Sequence, residues 1–324
     1  MEFRQLKYFL AVADTGSVSK AATRLFIAQS ALSQQVVLLE GDLGVGLFHR
    51  SSRGVSLTEA GQVFYEHAQT IMRQIEDARV AALQQLSESP AGTVVLGIPQ
   101  SASAALAMPL LQAVRKQLPR VTLKLTEELT GNLIEQLKQG RLNLAILFDD
   151  GQLNEFARKR IVEEELYLLS YRQPEQPKMG QRITAKEALK RPLILPSIQH
   201  GVRQRVEMAA AEHGHVIESL VAEINSINII KGAILADIGA TILPLAPFQL
   251  ELDQGLVTAQ EIHEPSITRT ISICTSRNVS ITKGTAAVSR LIVHVVRDLC
   301  SSGAWPGATP IFHDYSNMHS IGNC

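Results

Sequence analysis

Gln29-Ser30-Ala31-Leu32-Ser33-Gln34-Gln35-Val36-Val37-Leu38-Leu39-Glu40 decides how this chain is read. Leu32, Val36, Leu39 and Leu43 recur along one side of a helix predicted over 29–42, while Ser30, Ser33, Gln34 and Val37 gather on the other. Working back toward the N-terminus, Leu6, Phe9, Leu10 and Ala13 mark an amphipathic helix over 4–12 that Gly16 closes. Ser17 is placed to cap a second helix over 18–25, with Ala21, Ala22 and Leu25 turned inward, and a turn at 26–28 leads into the third. Amide and small hydroxyl side chains on the open face of that third helix suit a DNA major groove: glutamine both donates to and accepts from adenine, and serine admits close approach. A plain three-helix packing unit would also keep a polar outer face, so periodicity alone leaves that alternative open.

The next segment narrows the choice. Leu47-Phe48-His49-Arg50-Ser51-Ser52-Arg53-Gly54-Val55-Ser56-Leu57-Thr58 has the pattern of a short β-ribbon with Arg50 and Arg53 near its turn, a wing able to reach phosphate or a narrow minor groove. Four motifs, Leu6-Lys7-Tyr8-Phe9, Gly16-Ser17-Val18-Ser19-Lys20-Ala21-Ala22, Gln29-Ser30-Ala31-Leu32-Ser33-Gln34-Gln35 and Leu38-Leu39-Glu40, precede that wing, which ends Leu57-Thr58-Glu59-Ala60-Gly61. Through them residues 1–87 resemble the winged helix-turn-helix of the LysR-type transcriptional regulators. Residues 1–9, 27–29 and 108–115 are similar to the nitrogen-control branch of that family. The resemblance implies a sequence-specific transcriptional regulator, activating or repressing, with double-stranded DNA and RNA polymerase as partners. On this chain Gln29, Ser30, Ser33 and Gln34 would face the major groove, with Arg50 and Arg53 supplied by the wing. One departure is Ala28, which stands where a capping serine or threonine is common.

Bulk composition fits a soluble, cytoplasmic regulator. The chain has 324 residues, with 31 Lys+Arg balancing 31 Asp+Glu, so no global cationic field advertises a polyanion partner. Residues 1–60 hold six basic residues (Arg4, Lys7, Lys20, Arg24, Arg50, Arg53) against five acidic ones (Glu2, Asp14, Glu40, Asp42, Glu59), a net of +1. Phosphate neutralisation is therefore modest, and tight binding calls for two or four heads on one site. No apolar run approaches the ~20 residues of a membrane span, and the N-terminus lacks a signal-peptide layout. Cys274, Cys300 and Cys324 show no metal spacing and read as isolated thiols. His213-Gly214-His215 has no third ligand nearby, and no catalytic or nucleotide-binding motif appears. The expectation is a protein without metal or cofactor that is not an enzyme. An alternative from another class is a cytoplasmic small-molecule-binding protein whose headpiece serves only for assembly.

From Thr58 to Leu86 there is no proline, and Phe64, Ala68, Ile71, Ile75, Ala78 and Ala82 recur at spacings of 4, 3, 4, 3 and 4, the stripe of a pairing helix. Packing onto its own domain is the alternative. The resemblance favours a homodimer or homotetramer, in which linked recognition helices match an inverted-repeat site. Ser87-Glu88-Ser89-Pro90-Ala91-Gly92 then forms a polar hinge.

Beyond the hinge the pattern alternates: strand 93–97, helix 108–118, strand 121–127, helix 133–139 and strand 144–148, then a second set of strands and helices over 166–243, with strand 267–274 and helix 282–299 returning to the first set. The fold class is α/β: a winged helix-turn-helix over 1–58, a linker helix and hinge over 59–89, and a two-lobed effector domain over 90–300. Lobe I takes about 92–161 and 266–300, lobe II about 162–265. Such lobes resemble the effector domain of the same family and, with it, periplasmic solute-binding proteins. A cleft between them would bind a small molecule through the loop carrying Gln100, Ser101 and Ser103, through Thr130 and Asn132, and through Ser197. Ser103, Thr130 and Asn132 could equally cap the helices they precede, and the resemblance leaves open a regulator that works without any effector. Asp237 stands where the family's helix-to-strand turn usually has glycine. Glu163-Glu164-Glu165 reads as a solvated face or hinge rim, and 301–324, which holds Trp305, reads as a tail with little structure of its own.

Overall fold

The computed structural model describes residues 1–51, 54–84, 89–149, 153–198, 200–277 and 281–311. It divides into two units, Met1–Glu88 and Ser89–Cys324.

In the first unit α1 (Phe3–Thr15), α2 (Val18–Leu25) and α3 (Gln29–Leu43) are followed by a wing of β1 (Phe48–Ser51) and β2 (Gly54–Leu57), then by α4 (Glu59–Gln84). Helices α1 and α3 stop where the sequence permits a left-handed residue: Gly16 at φ 61 and Gly44 at φ 70. The Ser17 hydroxyl accepts from the Lys20 amide at 3.4 Å and starts α2. Leu6, Phe9, Val12, Ala21, Leu32, Val36 and Leu39 close a common core. Phe9 lies at its centre, with ring centroids 5.1 Å from Phe48 and 5.0 Å from Phe64. The wing is antiparallel, pairing Phe48 with Leu57 and Ser51 with Gly54. Glu40 ties it to α3, accepting from the Leu47 amide at 2.7 Å and the Phe48 amide at 3.1 Å. At Gly61 a Cβ would fall 2.0 Å from the Leu47 carbonyl oxygen, so only glycine lets α4 start this close to the wing.

The stripe along α4 divides between two fates. Phe64, Ala68 and Ile71 pack into the headpiece core, whereas Ile75 is exposed, as are Ala78 and Ala82. Self-packing thus accounts for the first half of the stripe only.

The second unit runs β3 (Gly92–Ile98), α5 (Gln100–Gln117), β4 (Val121–Glu127), α6 (Thr130–Lys138), β5 (Leu144–Phe148), β6 (Phe156–Glu165), β7 (Tyr167–Tyr171), β8 (Ile183–Thr184), α7 (Ala185–Lys190), β9 (Leu193–Leu195), α8 (Gly201–Glu212), β10 (Leu220–Glu223), α9 (Ile227–Leu235), β11 (Thr241–Leu243), α10 (Gln249–Asp253), β12 (Val257–His263), β13 (Thr268–Ser276), α11 (Lys283–Ser301) and β14 (Ala308–Pro310). One lobe is a six-stranded sheet in the order β14-β6-β13-β5-β3-β4; the other has the four-stranded sheet β11-β7-β12-β8 and the parallel pair β10-β9. The chain crosses from the first lobe to the second where β6 runs into β7, and returns where β12 gives way to β13. The long antiparallel pairing of β6 with β13 is the hinge.

Three expectations need correction. Helix α5 begins at Gln100, eight residues before the predicted start, and carries Pro109 inside it. The Glu163–Glu165 run is not uniformly solvated, because Glu164 is fully buried while Glu163 is exposed. That is the two-residue alternation of a strand applied to three like charges. Finally, residues 301–311 are structured. Trp305 is 1% exposed, and β14 pairs with β6 through Ala308 opposite Glu164 and Pro310 opposite Val162. Polar punctuation concealed a single large apolar anchor. The remainder of the expected tail, 312–324, lies outside the described residues, as does Cys324.

Candidate functional site

Two places carry the residues singled out by sequence, one in each unit. On the headpiece Gln29, Ser30 and Gln34 are exposed along one side of α3, and Ser33 is half-buried between them. Val37, 50% exposed, continues the same side one turn later. Ala28 has extended backbone (φ −67, ψ 137) and gives no side-chain cap, so α3 starts without the hydroxyl or carboxylate that would screen its first amides. Arg50 is on β1 with its guanidinium 3.6 Å from Glu40. The pair is half open to solvent on the arginine side, so Arg50 both braces the wing against α3 and presents charge beside it. Arg53 lies outside the described residues.

In the second unit the expected loop at 100–103 is the first turn of α5, with Pro99 as its N-cap. Gln100 and Ser103 line a cavity of about 240 Å³, together with Glu127 from β4 and Ser226, Asn228 and Lys231 from the start of α9. The Ser103 hydroxyl is held by the Gln100 carbonyl at 2.9 Å and by the Glu127 carboxylate, so it does not cap its helix. Ser101 is fully buried and accepts from Arg269 Nη2 at 3.0 Å. Thr130 is 3% exposed and its Oγ1 has no partner among the described residues; the same holds for Gln100 Oε1 and Ser197 Oγ. Asn132 is exposed and donates to Glu128 at 3.1 Å. The structure therefore brings Gln100 and Ser103 together on one cavity wall, commits Ser101 and Asn132 to protein partners, and leaves Thr130 and Ser197 with free hydroxyls.

Sequence reading missed the charged centre of the hinge. Arg269, on β13, donates to Glu164 on β6 from Nε at 2.8 Å and from Nη2 at 2.5 Å. The same carboxylate accepts from Trp305 Nε1 at 2.7 Å. Burial pulls the Arg269 pKa down and the Glu164 charge opposes that pull. Its guanidinium also sits 3.9 Å from the centre of the Phe148 ring. On the other lobe His200 caps α8, accepting the Val202 amide at 3.3 Å, and its ring stacks on Phe148 with centroids 6.4 Å apart. Burial, and secondarily the nearby Arg269 charge, push the His200 pKa down to about 4, so the ring is neutral at pH 7. Phe148, Asp149, Gly201, Arg205, Thr268 and Arg269 line a second cavity of about 220 Å³. No sequence signal pairs Glu164 with Arg269, which are 105 residues apart. Among the described residues no helix is long and apolar enough to cross a membrane, and no cluster of three or more His, Cys, Asp or Glu is placed to hold a metal.

Comparison with known proteins matches both units. The pattern of the bacterial regulatory helix-turn-helix protein, lysR family, fits residues 3–62, and that of the LysR substrate binding domain fits residues 87–297. The chain is 34% identical over 297 residues to the nitrogen assimilation regulatory protein nac of Klebsiella aerogenes, covering 91% of this chain and 95% of that one. Against the protein of the same name from Escherichia coli K12 the identity is 32% with the same coverage. Among solved structures, CbnR complexed with its target DNA superposes with a TM-score of 0.65 at 23% identity, covering 92% of this chain and 99% of that one. A full-length OxyR variant from Pseudomonas aeruginosa gives 0.65 at 22% identity, covering 97% and 99%.

Proposed function

The chain belongs to the LysR family of transcriptional regulators, and from that premise we propose that α3 reads duplex DNA in the cytoplasm on behalf of nitrogen-related genes. The observation that carries the reading is the exposed side of α3: Gln29, Ser30 and Gln34, with Ser33 recessed between them, on a helix packed against an arginine-bearing wing. Gln29 and Gln34 read base edges, Ser30 and Ser33 allow close approach, and Arg50 and Arg53 meet phosphate. The exposed second half of the α4 stripe supports pairing with another copy, as a homodimer or a homotetramer, so that two heads meet one site. RNA polymerase is the partner at a promoter. The function is regulatory and not enzymatic, in keeping with relatives that are transcriptional regulators.

A small effector would bind between the lobes, where Gln100, Ser103 and Lys231 line one cavity and where the hydroxyls of Thr130 and Ser197 are free. Ser101 and Asn132 would take part only by exchanging the partners they now hold. The direct test is genomic footprinting followed by affinity measurement on the recovered site and on random duplex. Gln29→Ala is expected to cost about 1–3 kcal/mol on the recovered site and to relax base choice there. Arg53→Ala is expected to weaken both duplexes alike. Equal losses for the two variants on both duplexes would remove these roles.

A further inference from the structure

We propose that Phe26 is a DNA contact whose ring packs against a thymine methyl at the edge of the groove that α3 enters; the inference rests on the DNA-reading assignment above. Phe26 is the residue that ends α2, in the three-residue turn before α3, and its backbone is left-handed at φ 55, ψ 44. Glycine or asparagine is the ordinary occupant of such a position, because a bulky side chain there is strained. Its ring is also 94% exposed, the most of any large apolar side chain among the described residues. The neighbour Ile27 turns into the headpiece core and anchors the turn, so Phe26 is its one large side chain left in solvent. The left-handed backbone itself ends α2, with the Phe26 amide reaching back to the Ala22 and Thr23 carbonyls, but that cap has no use for an aromatic ring left in solvent, and strained positions of this kind collect where a molecule binds.

Position identifies the partner. In helix-turn-helix docking the N-terminal residues of the recognition helix meet base edges while the preceding helix crosses the backbone, so the turn between them lies at the groove rim. Phe26 is three residues before Gln29, and Ala28 puts nothing larger than a methyl group between them. The thymine methyl is the one apolar feature on the major-groove edges, and phenylalanine is among the side chains that meet it. The first 60 residues carry a net charge of only +1, so short-range contacts of this type must supply binding that phosphate attraction does not.

The test uses the full-length protein and a duplex selected by it from a random library. Each deoxythymidine is replaced in turn by deoxyuridine, which removes only the methyl group. One replacement per half-site should weaken the wild type about fourfold, the worth of one buried methyl. Phe26→Asn should bind the unmodified duplex about tenfold more weakly and be indifferent to the replacement, with a Tm no lower than wild type because the left-handed residue is relieved. Phe26→Leu, which keeps an apolar side chain, should retain part of the affinity and some sensitivity to deoxyuridine. The proposal is overturned if every deoxyuridine duplex binds the wild type normally, or if Phe26→Asn binds like wild type. A change in sedimentation mass on Phe26→Asn would also overturn it, since the ring would then belong to a contact with a second copy. A wild type that selects no sequence would remove the DNA-reading assignment and this contact with it.

Discussion

Replacing Glu164 by alanine tests the hinge most sharply. The substitution removes the acceptor for both Arg269 bonds, at 2.8 and 2.5 Å, and for the Trp305 indole at 2.7 Å. Arg269 is 3% exposed and Trp305 1%, so neither donor can turn to solvent without opening the hinge. Taking one partner from a buried ion pair costs about 3–5 kcal/mol, most of it the penalty of the charge left behind. For a unit of this size that corresponds to a fall in Tm of roughly 6–20 °C. Chemical denaturation followed by tryptophan fluorescence suits the question, because Trp305 is the only tryptophan and sits in the network itself. The double variant Glu164→Leu with Arg269→Met removes both charges and is expected to recover most of the loss. A Glu164→Ala loss below about 1 kcal/mol, or a double variant no more stable than the single one, would refute the idea that an uncompensated charge is what matters.

His200 gives a pH signature. Its folded pKa of about 4 lies below the ordinary 6.5, so the unfolded chain takes up a proton first and stability is lost as pH falls from about 6.5 toward 4. The contribution is at most about 3 kcal/mol, and His200→Gln should flatten that part of a stability-versus-pH curve; an unchanged slope would exclude the assignment. In the headpiece, Gly61→Ala is expected to cost about 1–3 kcal/mol or more through the clash with the Leu47 carbonyl. Binding to DNA should weaken in parallel with the loss of thermal stability, and a variant as stable as wild type would contradict the close approach.

The headpiece was legible because each of its elements is punctuated where it begins or ends. Gly16 and Ser17 separate the first two helices, and Leu32, Val36 and Leu39 repeat strongly enough to orient the third. The start of α5 was not legible. Residues 100–107 are serine, alanine and a single leucine after Gln100, which leaves no apolar period, and Pro109 looks like the opening of a helix when it actually falls inside one. Residue types single out Gln100 and Ser103, which the structure places on one cavity wall, whereas Lys231 and Glu127 reach it only through tertiary placement. Arg269 and Glu164 read as ordinary strand charges, since pairing at a separation of 105 residues leaves no local trace. Trp305 was hidden for a related reason: one anchor among glycines and prolines has no period at all.

That anchor bears on how the protein is made. Synthesis reaches Trp305 and β14 only after every strand they seal, and long after the three helices and wing are free to assemble. Until then Glu164 lacks its indole donor and β6 is an uncovered sheet edge. Nascent or prematurely stopped chains would therefore carry a finished DNA-reading head on an unsealed regulatory half, exposing a strand to which other chains can add.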